Sequence, residues 1–171
     1  MKYLIIVLMF FAISCSVFKD LPPNNHMSEI PKYLSLEELE GDTVTYMVQS
    51  LYERKNYYIG KKVKVFLKYL DMEIVNQLPG YHPGNKLIAP YVSLYFCEMG
   101  KLYTEESGNN IPLFVSIDFE SPALLEPITE LSKKNNNKWT KEEYEFYKDL
   151  IIKDIGIPEY GVFRKYFGQQ E

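Results

Sequence analysis

The chain has 171 residues and a formal net charge of −4, with a quarter of its residues charged and nearly half apolar. These proportions describe a globular protein with one core and exclude wholesale disorder. Mild acidity without a basic cluster excludes nucleic acid as a partner, and tyrosine, present fifteen times, is the one unusual abundance.

Lys2 and the amino terminus open the chain with positive charge, and an unbroken apolar run follows from Tyr3 to Ile13. Eleven residues at a helical rise reach about 16 Å, roughly half of a bilayer core. That is too short to span and suits the apolar region of an export signal. The run ends in Ala12-Ile13-Ser14-Cys15. This ending resembles the lipobox of bacterial lipoproteins, in which a small residue precedes an obligatory cysteine; Ala12 stands where leucine is usual. The resemblance implies that residues 1–14 are a signal peptide removed after lipidation of Cys15. Acyl chains such as palmitate on Cys15 would anchor the protein stably, since two or more chains hold a protein at a membrane. Similar proteobacterial lipoproteins with aspartate after the cysteine stay in the inner membrane. Ser16 here implies the outer membrane of the cell envelope, on its periplasmic or surface face. A plain cleaved signal with an incidental cysteine is the alternative.

Residues 1–14 hold one lysine and no acid, so their removal moves the net charge from −4 to −5. With Cys15 committed to lipid, Cys97 has no partner for an internal disulfide. Packing alone must then hold the domain. Residues 15–34, with Pro22-Pro23-Asn24-Asn25 and Pro31, read as a tether, and residues 35–171 as a single globular domain.

Ser35 and Glu38 have capping-box spacing and predict a short helical turn ending at Gly41. Asp42 can cap a second helix with Val44, Met47, Val48 and Leu51 on one face. Residues 61–70 fit a helix stripe (Val63, Phe66, Leu67, Leu70) or a strand alternation, and helix is preferred because alternation leaves Phe66 and Leu70 on the polar side. The stretch Tyr58-Ile-Gly-Lys-Lys-Val-Lys-Val-Phe-Leu-Lys-Tyr-Leu70 is similar to one in small uncharacterised Bacteroidetes lipoproteins, a likeness that implies no activity. A strand over 72–78, a turn-rich loop over 79–86, and a strand with Val92, Leu94 and Phe96 on one face come next. After a polar connection at Thr104–Asn110, the clearest strand places Ile111, Leu113, Val115, Ile117 and Phe119 on one face. Pro112 puts its start at an edge or a strand beginning. Ser121-Pro122 should end it. A short helix interrupted at Pro127 and a solvated loop over 133–138 lead to Thr140, which forms a second capping box with Glu143, with Trp139 and Tyr144 as a hydrophobic staple. Tyr144, Tyr147, Ile151 and Ile155 read as one helix closed by Gly156 and Pro158. Gly161–Phe167 would dock as a last strand or turn. The fold class is α+β, a small antiparallel sheet of about three to four strands packed with helices.

Chemistry is sparse. Two isolated histidines and one leftover cysteine do not supply a metal site, and no cofactor-binding glycine motif appears; no cofactor is expected. Cys97 with His82 would be a nucleophile and base, but the apolar neighbours of Cys97 mark it as a small hydrophobe. Asp118 and Glu120 lie two apart on one strand, a spacing of about 6.5–7 Å that two-carboxylate hydrolysis uses; the bland reading is a solvated sheet face. Tyr81, His82 and Tyr91, on or beside the Pro/Gly-rich loop, could form a rigid contact surface. The leading expectation is an envelope lipoprotein whose domain is a non-catalytic binding or interaction module for a protein or glycan ligand. Alternatives are an immunity or inhibitor lipoprotein against a toxin, and a hydrolase using Asp118 and Glu120.

Overall fold

The computed structural model of the protein describes residues 30–98 and 113–158. The leader, Cys15, most of the tether, the connection at Thr104–Asn110, the strand start Ile111-Pro112 and the segment Gly161–Phe167 lie outside them. No helix among the described residues is long and apolar enough to cross a membrane.

The chain enters along the helices. Arg54 donates to the carbonyl of Pro31, Ser50 bonds both the N–H and the carbonyl of Leu34, and the Tyr33 hydroxyl reaches the Tyr69 carbonyl at 3.1 Å. Residues 31–34, assigned from composition to the tether, are thus held against the domain. The first capping box forms: the Ser35 N–H reaches Glu38 Oε2 at 2.8 Å and the Glu38 N–H reaches Ser35 Oγ at 3.1 Å. Its turn ends at Gly41, whose φ of +82° suits glycine.

Asp42 caps α1 (Thr43–Tyr46), accepting from the Thr45 N–H at 3.0 Å. The helix runs straight into a π-helical stretch, Met47–Tyr52, where the Glu53 N–H reaches five residues back to Val48 at 2.8 Å. That wider turn buries Met47, Val48, Ser50 and Leu51 together. After α2 (Lys55–Tyr58), α3 (Val63–Leu67) decides the ambiguous stretch in favour of helix: Val63 and Phe66 are fully buried while Val65 is not.

Among the described residues, four antiparallel strands form one sheet in chain order: β1 (Asn76–Pro79), β2 (Ile88–Tyr95), β3 (Phe114–Leu124) and β4 (Ile152–Gly156). Val92 and Leu94 pair with Ile117 and Val115, and these side chains form the buried face with Phe119, Ile152 and Ile155. Contrary to expectation, β3 does not stop at Ser121-Pro122. Ala123 and Leu124 pair with Ala89 and Ile88, and the residues 119–122 are accommodated opposite Pro90 by a register shift. Two prolines that cannot donate ladder bonds thus sit at the irregularity, where their missing N–H groups do least harm.

Between β3 and β4 come α4 (Leu125–Lys134) and α5 (Lys141–Tyr147). Pro127 does not interrupt α4, and Lys133 and Lys134, expected in a loop, complete it. Pro127 falls in the first turn, where an N–H has no intrahelical partner to lose. The loop after α4 covers the outer edge of β1: the Gln77 N–H reaches Asn137 and the Trp139 N–H reaches Val75. Thr140 and Glu143 form the second capping box, with the Thr140 N–H on Glu143 Oε2 at 2.9 Å. Trp139 stacks on Tyr147 (5.9 Å between centroids, 12° between planes), and Phe119 stacks on the same ring at 6.0 Å.

The helix expected to continue through Ile155 instead ends at Tyr147, and Ile152–Gly156 is a strand. The reason lies in the register. Asp118 pairs with Asp154 but Phe119 pairs with Ile152, so Lys153 is the extra residue of a β-bulge. The bulge turns both Ile152 and Ile155 inward, whereas the expected stripe ran through Ile151 and Ile155, and Ile151 is only half-buried.

Candidate binding surface

The loop between β1 and β2 is built for a fixed shape. The Gly80 N–H donates to the Tyr91 carbonyl at 2.8 Å, and a Cβ on Gly80 would stand 2.3–2.5 Å from the Tyr91 ring. Only glycine admits that contact. Beyond it the loop folds locally: His82 Nδ1 accepts from the Gly84 N–H at 3.1 Å, and Asn85 Oδ1 accepts from the Leu87 N–H at 3.0 Å. The loop's far end is pinned to α4, whose first N–H, from Leu125, reaches the Leu87 carbonyl at 2.9 Å.

This pinning sets Leu87 beside Leu124. Leu87 is 74 % exposed, Tyr81 66 % and Leu124 65 %. Leu87 and Leu124 border a cavity of about 460 Å³ whose α4 wall carries Glu126, Thr129, Glu130 and Lys133. A second cavity, of about 410 Å³, shares Thr129 and Lys133 and is bordered by Leu78, Pro79 and Tyr81. Both lie along one flank of α4. A third, of about 510 Å³, runs between α4 and α5 over Pro127, Leu131 and Phe146.

The residues singled out from the sequence fall into different places. Tyr81 and His82 are exposed on the loop, while Tyr91 is half-buried over Gly80 and faces away from the core, opposite Asp118. His82 and Cys97 do not form a dyad: the loop precedes β2 and Cys97 follows it, and eight strand residues separate the two ends by roughly 25 Å.

Asp118 and Glu120 share the sheet face away from the core, but their surroundings differ. Glu120 is exposed. Asp118 is half-buried, and burial first, then the Asp154 carboxylate across the ladder, holds its proton more tightly than usual; Lys153 and Lys55 oppose this. Lys55 is itself engaged by Asp154, with Nζ 3.0 Å from Oδ1. Neither Asp118 nor Glu120 lines the cavities around α4. The carboxylate that Asp118 meets is Asp154, a neighbour hidden from the sequence once residues 152–155 read as helix. Among the described residues no group of three or more His, Cys, Asp or Glu side chains could hold a metal ion.

Sequence reasoning also missed Leu87, Leu124 and the α4 flank. A signal existed: Glu126, Thr129, Glu130 and Lys133 recur at helical spacing beside Leu124. Treating Pro127 as an interruption concealed it. No protein-family model matches the sequence, no curated protein matches it, and no solved structure matches it.

Proposed function

We propose that this chain is an envelope lipoprotein, held at the membrane by lipid on Cys15, whose domain acts without catalysis as an interaction module through the flank between the β1–β2 loop and α4. The observation that carries the interaction reading is the gathering of Tyr81, Leu87 and Leu124, all about two-thirds exposed or more, around adjoining cavities on one side of α4. Apolar side chains exposed singly need no explanation, but Leu87 and Leu124 share the rim of one concave surface with Tyr81 on the adjoining one, and such a surface marks a site of contact. The anchor rests on the Lys2–Cys15 pattern and its resemblance to a lipobox.

A carboxylate hydrolase at Asp118 and Glu120 is the weaker reading, because Glu120 is exposed and neither acid borders the concave surface. The experiment separates anchor from module. Cys15→Ala should move the protein from the membrane to the soluble fraction. In-cell cross-linking should give complexes of the parent chain, and Leu87→Glu combined with Leu124→Glu should leave the protein at the membrane but remove them. Unchanged fractionation of Cys15→Ala would remove the anchor, and unchanged complexes in the double variant would remove the module.

A further inference from the structure

We infer that a second site, apart from the α4 flank, binds a saccharide in the cavity where β1 begins. The residues leading into β1 border this cavity of about 510 Å³ together with Glu98, Lys138 and Trp139, and its size suits a small ligand. Its central group is Asn76, which lines the cavity and is only 7 % exposed. The Asn76 Nδ2 donates to the Cys97 carbonyl at 3.2 Å. A carbonyl only accepts, so that bond fixes which way the amide points. The other end, Oδ1, accepts nothing from the described residues and is not sealed from solvent. A nine-tenths buried acceptor left open on a cavity calls for a donor from outside.

The neighbours of Asn76 restrict what brings that donor. An antiparallel bridge joins Asn76 to Lys138, which sets their side chains next to each other, about 4.5–5.5 Å apart at Cβ. The Lys138 ammonium makes no hydrogen bond or ion pair among the described residues, and neither does the Glu73 carboxylate on the same cavity. Acceptors, Asn76 Oδ1 and Glu73, therefore stand beside a donor, Lys138. A ligand ammonium would satisfy the acceptors but meet the like charge of Lys138, and a ligand carboxylate would meet Glu73 and Glu98. A hydroxyl both donates and accepts, and neighbouring ring hydroxyls supply the two functions side by side. Ile74 and Trp139, which line the cavity as well, give the C–H groups of a sugar ring apolar contact.

Trp139 is the chain's single tryptophan, so its emission reports on this cavity directly. Purified full-length chain in detergent, titrated with cellotriose and with chitotriose, should show a saturable change in that emission with at least one of them. Glycerol and glycylglycine at equal concentration should give none. The bound saccharide should also protect Lys138 from acetylation by a soluble N-hydroxysuccinimide ester. Glu73→Gln and Lys138→Met alter exposed side chains and should each weaken binding about tenfold, the loss of one hydrogen bond to a charged group. Leu87→Glu with Leu124→Glu should leave it unchanged. No saturable change and no protection with either saccharide overturns the site while leaving the interaction module standing. A response to glycylglycine in place of the saccharides overturns the ligand class. Saccharide binding that survives both cavity variants, or is lost only with the two leucines, overturns the location.

Discussion

Two regions of the molecule use aromatic and charged groups in opposite ways. Around the chain's entry, Arg54 is buried with its guanidinium 5.6 Å from the Tyr33 ring and 5.2 Å from the Tyr57 ring. Tyr46 and Tyr58 are fully buried, Tyr57 packs edge-on against Tyr58 and Tyr69, and the Tyr46 hydroxyl donates to the Tyr69 carbonyl while accepting from the Asp71 N–H. Here rings and cation close on one another, in cation–π and edge-to-face geometries that hold a fold together. Along the α4 flank Tyr81, Leu87 and Leu124 face outward, and Glu126, Glu130 and Lys133 find no ionic partner among the described residues. Among the described tyrosines, Tyr46, Tyr58 and Tyr147 are fully buried and Tyr81 alone is exposed, so the abundance of tyrosine does not by itself mark a contact surface. The contact surface is marked instead by what the fold leaves unfinished.

If that contrast is right, substitutions in the first region should reduce stability and substitutions in the second should not. The largest effect is expected at Tyr58→Ala, which removes a fully buried ring and should cost about 3–5 kcal/mol in chemical denaturation; a loss below 1 kcal/mol would mean that the cluster is not structural. Gly80→Ala forces a Cβ into the Tyr91 ring and should cost about 1–3 kcal/mol. Adding Tyr91→Ala should relieve part of that cost, and strict additivity would show that the ring contact is not its cause.

A smaller, pH-dependent effect belongs to Asp118. Burial and Asp154 raise its pKa on folding, so the native state binds the proton more tightly than the unfolded chain. Stability from this group is full below the unfolded pKa and is lost as pH rises through the folded one. Asp118→Asn should remove that fall, so the ratio of variant to wild-type stability should rise with pH across the acidic range; parallel curves would contradict it. The smallest change is expected from Leu87→Glu with Leu124→Glu, within about 0.5 kcal/mol of the parent, despite the loss of complexes.

Local chemistry made several of these features readable before any coordinates. Asp42, Ser35 with Glu38, and Thr140 with Glu143 cap where their side chains indicate, because a capping bond involves neighbours three residues apart or fewer. The alternation of Val115, Ile117 and Phe119 likewise gave the central strand and its inward face. What escaped depended on partners distant in sequence. Ile151 and Ile155 fit a helical stripe by their spacing, but pairing with β3 makes this segment a strand whose bulge turns Ile152 and Ile155 inward, and nothing local announces a bulge. Pro127 looked like a break because its placement in the first turn depends on where β3 ends, which pairing with β2 decides. For the same reason the loop residues Tyr81 and His82 were legible as a surface, while Leu87 and Leu124, which only the fold brings together, were not.

Hydroxyl-radical footprinting of the full-length protein, in its native membranes and again as purified dilute chain, tests the central contrast most directly. The account predicts that Tyr81, Leu87 and Leu124 are modified more slowly in the membranes than after dilution, while Ile59, exposed elsewhere, reacts equally in both. Equal rates at all four positions would contradict it.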